Sequence, residues 1–190
     1  MKNTKIEIFN NAKEVFSEKG FKETSIAIIT KKTGIGVGTF YNFYFSKEEL
    51  FLEIFYVESI KLKDEIMKDI DIDDDPVCIL KEVISKLFKG MKDNSILREW
   101  YNRETFFKIL EKVKEGSGNK KEDLFYNFFN DTFKKWQSEG KIRKDIDSEY
   151  ILALFNSLCF VDLHIEEIGG EFFPKTMDYL VEFIVKGLMV

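Results

Sequence analysis

Apolar residues return every three or four positions along almost the whole chain, the period of helices that bury one face. A first helix is predicted over 5–19, with Ile6, Phe9, Ala12, Val15 and Phe16 on one face. Thr4 and Glu7 offer a capping box at its start, and Gly20 stops it as a residue able to take a positive φ. A second helix begins after Ser25 and ends at about Thr33, before Gly34. A short third covers about 37–43. Ser46 and Glu49 form a second capping box, which starts a long fourth helix over about 47–68.

Beyond an acidic stretch at 69–75, Asp75 caps a fifth helix and Pro76 suits its first position, where no N–H is needed. Further helices are predicted over about 96–115, 120–138 and 147–168, with a turn in Glu-Gly-Ser-Gly-Asn at 115–119. The last starts near Pro174 and runs almost to the C-terminus. Only 2 prolines occur and long stretches lack glycine, which favours helices over a sandwich or barrel. The fold class expected is all-α, with about nine helices and a small three-helix head on a larger helical body. The domains are placed at 1–46 and 47–190, the helix over 47–68 being the connector.

Composition narrows the function. The chain has 190 residues, 44% hydrophobic and 33% charged, with only 2 prolines, which suits a globular helical protein. No run of 18 apolar residues exists, and the first residues lack an apolar signal core, so a cytoplasmic protein without a membrane partner is expected. Cys78 and Cys159 stand far apart in apolar stretches and are expected to be buried thiols rather than a disulfide. The single histidine, His164, is expected to be a satisfied interface or core residue, and no metalloprotease, zinc, nucleophile-elbow or P-loop pattern occurs. No enzyme, cofactor, metal site or catalytic residue is therefore expected.

Net charge is −5, which runs against nucleic-acid binding until its distribution is read. Residues 1–50 hold eight lysines against six carboxylates, a net +2, and the remainder carries −7. Two short helices joined at Gly34 and Gly36 make a helix-turn-helix, whose second helix can enter the major groove while the first crosses the backbone. The alternating glycines at 34, 36 and 38 follow no strand, which argues against a nucleotide-binding fingerprint. Gly38 permits close approach, either to a phosphate or to a neighbouring helix.

The stretch Ser-Ile-Ala-Ile-Ile-Thr-Lys-Lys-Thr-Gly-Ile-Gly-Val-Gly-Thr-Phe-Tyr-Asn-Phe-Tyr-Phe-Ser-Lys-Glu-Glu-Leu, residues 25–50, resembles the head of the TetR family of transcriptional regulators. Matching positions are Gly34, Gly38, Thr39, Phe40, Tyr41, Ser46, Lys47, Glu48, Glu49 and Leu50, with Phe16, Lys19, Gly20, Phe21 and Thr24 upstream. The resemblance covers roughly the first 50 residues. It implies that Ser25, Tyr41 and Lys47 hold phosphates. Val37, Thr39 and Asn42 would then face base edges or the nearby backbone, and Gly36 and Gly38 let the helix come close. Gly36 stands where the family usually has Ser or Thr, a loss of only a few tenths of a kcal/mol in capping. Val37 stands where a polar or basic residue is common, and suits a thymine methyl. Lys31 and Lys32 read either as solvated lysines or as further phosphate contacts. Phe40 and Phe43 are expected to be core pegs.

The same resemblance implies an effector site among the body helices and a dimer through the last two. Trp100, Tyr101, Phe107, Phe125, Phe128 and Phe129 are candidates for its wall, with Arg103 and Glu104 as polar ends. Ile151, Phe155, Leu158, Ile165, Leu180, Ile184 and Leu188 are candidates for an isologous four-helix interface. The expected protein is a ligand-responsive homodimeric regulator, a repressor released from palindromic double-stranded operator DNA by a small, largely apolar effector. The alternative is a small-molecule-binding helical module with a decayed head, which Gly36 and Val37 keep open.

Overall fold

A computed structural model describes residues 2–115, 124–173 and 175–190. The predicted turn residues 116–119, the predicted helix start at 120 and Pro174 lie outside them. The described chain is all-α: α1 Lys2–Glu23, α2 Ile26–Thr33, α3 Val37–Tyr41, α4 Lys47–Lys68, α5 Pro76–Asp93, α6 Arg103–Glu115, α7 Leu124–Ser138, α8 Ser148–Leu163, α9 Ile165–Ile168 and α10 Lys175–Leu188. Two 3₁₀ turns, Leu97–Tyr101 and Gly170–Phe172, interrupt the series. Among the described residues the extended pairing is confined to an isolated bridge between Ile142 and Met189.

Three boundaries differ from expectation. α1 begins at Lys2, so Thr4 lies inside the helix instead of capping it, and Glu7 accepts from the Asn3 amide at 3.0 Å. The single helix expected over 96–115 is a 3₁₀ turn followed by α6. Asn102 is extended between them, and its side-chain oxygen accepts from Thr105 N. The helix expected to reach 168 stops at Leu163, because His164 leaves the helical region (φ −106°, ψ 26°). His164 is exposed and 3.7 Å from Glu167, not buried in a core. Cys78 is also exposed, since it sits in the first turn of α5 beside the acidic loop, whereas Cys159 is half-buried.

The chain forms two compact units: residues 1–62 with 89–118, and 63–88 with 119–190. In the first, Ile8, Ala12 and Phe16 of α1 close on Ile29, Phe40, Tyr44, Leu50, Phe51, Ile54 and Ile96. Phe51 meets Phe16 and Phe21 edge-on at 5.0 and 4.9 Å, a preferred aromatic geometry. One carboxylate is buried beside this core. Glu58 accepts from Lys13 and Lys61, both at 2.8 Å, and from the Asn94 amide at 3.2 Å. Burial opposes its charge most, but these three donors together hold its pKa below the usual value.

The second unit is built on an aromatic row along α7. Phe125 and Phe129 lie 4.8 Å apart, Phe133 and Trp136 5.8 Å apart, and Phe133 stacks on Phe155 of α8 at 6.0 Å. Trp136 is fully buried, and its indole N–H donates to Ile72 O at 3.3 Å. Lys135 binds Asp73 at 2.9 Å, so the acidic stretch is tied down from α7 at two points. Asp75 caps α5 as expected, accepting from Val77 N and Cys78 N.

Candidate nucleic-acid interface

The head is shaped by its corners. Ser25 is extended, and its hydroxyl accepts from Ile28 N at 3.3 Å, so α2 starts on a side-chain cap. Gly34 takes a left-handed conformation (φ 73°, ψ 28°) and closes α2 through its N–H to Lys31 O, while Ile35 N reaches Thr30 O. A β-carbon at Gly34 would meet nothing within 4 Å, so the positive φ, not crowding, is what calls for glycine. Gly36 precedes α3 with no side-chain cap, as its missing hydroxyl dictates.

α3 ends at Tyr41, two residues before the expected 43, and Phe43 N and Tyr44 N both turn back to Phe40 O. Phe40 is fully buried and Phe43 packs half-buried against the same core, so both are pegs that fix the short helix. Tyr44 is buried too, and its hydroxyl is a buried side-chain group without a hydrogen-bond partner among the described residues. Burial first, and then Glu53, push its pKa up. The Lys5 ammonium stands 5.0 Å over its ring. Ser46 then accepts from Glu49 N at 3.1 Å, and Glu49 reaches back to Phe45 N at 2.6 Å, which fixes the start of α4.

What remains outside is a short apolar and amide-bearing surface. Val37, Tyr41, Asn42 and Phe45 are exposed, Thr39 is half-buried, and Gly36 and Gly38 are bare backbone. Among the described residues, a β-carbon at Gly38 would meet nothing within 4 Å beyond its own helix backbone and chain neighbours. Packing against a neighbouring helix is therefore not the reason for glycine there. Lys31 is exposed, whereas Lys32 is drawn to α1, 2.8 Å from Glu14 and 3.7 Å from Glu18, with its pKa raised chiefly by the Glu14 bond.

Lys47 has a structural task that spacing does not reveal. Its ammonium donates to Phe21 O and Thr24 O, both at 2.8 Å, and lies 4.2 Å over the Phe21 ring. It thus satisfies carbonyls at the end of α1, where a cation also suits the helix dipole. Partial burial lowers its pKa. An ammonium has three N–H bonds, so one donor remains for a phosphate.

The eight residues expected at the effector site do not form one cluster within either unit. Trp100, Tyr101, Arg103, Glu104 and Phe107 belong to the first, and Phe125, Phe128 and Phe129 to the second. Trp100 stacks on Phe55 of α4 at 6.1 Å and meets Phe106 edge-on at 4.7 Å. Phe107 is exposed, and Glu104 pairs with Lys108 at 2.9 Å. The Lys63 ammonium lies 5.4 Å over Phe125. A cleft of about 730 Å³ in the second unit is lined by Tyr126, Lys134, Gln137, Lys144, Tyr150 and Asn156 among others, and by none of the eight.

Four residues of the expected dimer face need correction. Ile151, Phe155, Leu158 and Leu188 are buried inside the subunit, and Ile165, Leu180 and Ile184 are half-buried. A side chain already enclosed by its own core has no surface to offer a second copy. The exposed apolar residues of the same helices are Tyr150, Leu154 and Phe160 on α8, with Tyr179 and Phe183 on α10, the last two stacked at 6.0 Å.

Comparison with known proteins places the head. Residues 8–54 match the family described as Bacterial regulatory proteins, tetR family. The HTH-type transcriptional regulator UidR of Escherichia coli K12 is 39% identical over 62 residues, which are 33% of this chain and 29% of that protein. A TetR-family transcriptional regulator from Mesorhizobium loti aligns over 100% of this chain and 98% of its own, at 20% identity and a TM-score of 0.64. FadR from Bacillus subtilis, in complex with stearoyl-CoA, aligns over 96% and 98%, at 19% identity and a TM-score of 0.62. These two likenesses carry the fold.

Proposed function

We propose that this chain is a TetR-family transcriptional regulator and works as a homodimeric repressor that leaves a near-palindromic operator when a small, largely apolar effector binds. The observation that carries the reading is the surface of α3. Val37, Tyr41 and Asn42 are exposed beside open space at Gly38, on a helix fixed from beneath by Phe40. A groove of DNA fits such a surface: amide and hydroxyl groups for base edges and phosphates, an apolar side chain for a thymine methyl, and backbone that can come close.

Ser25, Tyr41 and the remaining donor of Lys47 serve the phosphates. Val37, Thr39 and Asn42 serve the bases, and Gly36 and Gly38 allow the approach. The DNA-binding domain is taken as 1–46 and the effector and dimer domain as 47–190. Two heads in a symmetric dimer should stand about 34–36 Å apart, one helical turn of DNA, or a longer separation where two dimers share a site.

The dimer uses α8 and α10 through exposed Tyr150, Leu154, Tyr179 and Phe183, with half-buried Ile165, Leu180 and Ile184 retained as candidates beside them. The aromatic row of Phe125, Phe128 and Phe129 supports an apolar effector, and the bound acyl-CoA of the Bacillus subtilis neighbour is a precedent for one on this fold. Trp100, Tyr101, Arg103, Glu104 and Phe107 are retained as effector candidates. With no membrane-crossing helix among the described residues, a cytoplasmic protein is proposed.

The test is selection from a random DNA pool by the purified protein. Enrichment of a two-fold symmetric sequence, released by an acyl-CoA or another apolar compound, supports the reading. Ligand binding with no sequence enriched would favour a small-molecule-binding module with a decayed head.

A further inference from the structure

We infer that Glu99 is a positioning residue for the head, and that its bond to Phe21 lets the 3₁₀ turn Leu97–Tyr101 set the pose of α2 on DNA. The inference rests on the reading that the head binds DNA.

The corner between α1 and α2 is made by Gly20, which leaves the helical path at φ 77° and ψ 171°. Leaving the helix frees backbone groups that need partners. Phe21 N donates to Glu99 Oε1 at 2.8 Å, Phe21 O and Thr24 O accept from Lys47, and Gly20 O accepts from the Thr24 hydroxyl at 2.7 Å. The corner is thus anchored by one side chain from α4 and one from a segment 78 residues further on. Ser25, the cap of α2, follows Thr24 directly.

Glycine at 20 serves this contact in two ways. Its positive φ makes the turn, and a β-carbon there would stand 2.9 Å from Glu99 Oε1. The carboxylate occupies the space that a side chain would take. Its other oxygen accepts from the hydroxyl of buried Thr105 at 3.1 Å, so Glu99 is held from both sides. A cleft of about 390 Å³ lined by Ser17, Lys19, Gly20, Arg98, Glu99 and Asn102 opens beside the bond.

The 3₁₀ turn is itself well connected. Asn94 Oδ1 accepts from Ile96 N and Leu97 N, and its amide donates to Glu58, the buried carboxylate that binds Lys13 of α1. Trp100, the neighbour of Glu99, stacks on Phe55. A shift of this turn therefore moves Glu99 against a corner whose position decides where α2 begins.

The sign of the effect separates this role from electrostatics. Removing a negative charge near DNA should tighten binding if charge alone matters. Loss of the positioning bond should weaken it. The experiment uses the full-length protein and the DNA sequence that it selects from a random pool. Glu99→Ala should bind at least tenfold more weakly, with faster hydrogen exchange at the Phe21 amide. Glu99→Gln, whose side-chain oxygen still accepts from Phe21 N, should stay within about threefold of the parent. Thr105→Val, which removes only the second support, should fall between them.

Coupling is reciprocal. DNA should therefore slow amide exchange over 97–101 in the parent and not in Glu99→Ala. Binding of Glu99→Ala equal to or tighter than the parent, a Glu99→Gln as weak as Glu99→Ala, or unchanged exchange over 97–101 on adding DNA would each overturn the inference. A parent protein that selects no DNA would instead sink the regulator reading beneath it.

Discussion

Two exposed apolar surfaces differ in what surrounds them. On the head, exposed Val37, Tyr41 and Phe45 share the segment 36–45 with bare glycine backbone at 36 and 38 and with exposed Asn42. On the second unit, Tyr150 and Leu154 of α8, and Tyr179 and Phe183 of α10, stand four residues apart along each helix and form ridges. Ridges at that spacing pack into the grooves of another helix. A short helix with missing side chains and amide groups suits a groove of DNA instead.

The sharpest way to break the comparison is to charge one surface only. Leu154→Glu with Phe183→Glu places unpaired carboxylates at the proposed dimer face, twice over by symmetry. The dimer dissociation constant should rise by about 10³-fold or more, on the order of 4 kcal/mol, as sedimentation at falling concentration would report. The monomer should keep its helicity, because both side chains are exposed. A double variant that remains dimeric at nanomolar concentration would remove this face from the interface.

Lys47→Ala tests the head. It should weaken binding to every sequence and reduce the salt slope by about one. The same change should cost about 1–2 kcal/mol of stability, since Phe21 O and Thr24 O lose a charged donor. Denaturant unfolding and salt titration separate the two effects. An unchanged salt slope with lost stability would make Lys47 a clamp of the corner alone.

These two variants also show where the sequence was legible. Ser25, Gly34, Ser46 and Glu49 act within a few residues of themselves, so their caps and turn were readable from spacing. Lys47 reaches 26 residues back and Glu99 reaches 78, and no local pattern marks such partners. On α8, apolar residues fall on both faces, Ile151 and Phe155 as well as Tyr150 and Leu154, so period alone did not say which face enters the core. Ile151, Phe155 and Leu158 therefore read equally well as interface or as core, and burial places them in the core. The helix breaks at Asn102 and His164 were missed because neither carries the glycine or proline that usually marks one.

A smaller effect is expected inside the head. Tyr44→Phe removes a buried hydroxyl that makes no hydrogen bond of normal geometry among the described residues, although Glu53 acts on it, and should stabilise the protein by about 1 kcal/mol, measured by urea unfolding, without altering DNA affinity. A loss of stability would mean that the hydroxyl is satisfied in solution.

The smallest effect concerns acid. Glu182 of α10 binds Lys186 and Lys81, and these bonds hold its pKa down to about 2. With a folded value below the unfolded one, its contribution is present above about pH 4.5 and fades as pH falls towards 2. The melting temperature of Glu182→Gln should therefore lie slightly below the parent at pH 7, with the gap narrowing below about pH 4.5 and closing only as pH falls below about 2. A gap that does not narrow between pH 5 and pH 2 would assign the difference to packing.

The comparison itself can be read in one experiment, radical side-chain labelling of the full-length protein with and without its selected DNA, at concentrations above and below dimer dissociation. DNA should shield Tyr41 and Phe45 while leaving Tyr179 and Phe183 as they were, and dilution should expose Tyr179 and Phe183 while leaving Tyr41 unchanged. Shielding of Tyr179 and Phe183 by DNA, with Tyr41 as reactive as before, would contradict the assignment of the two surfaces.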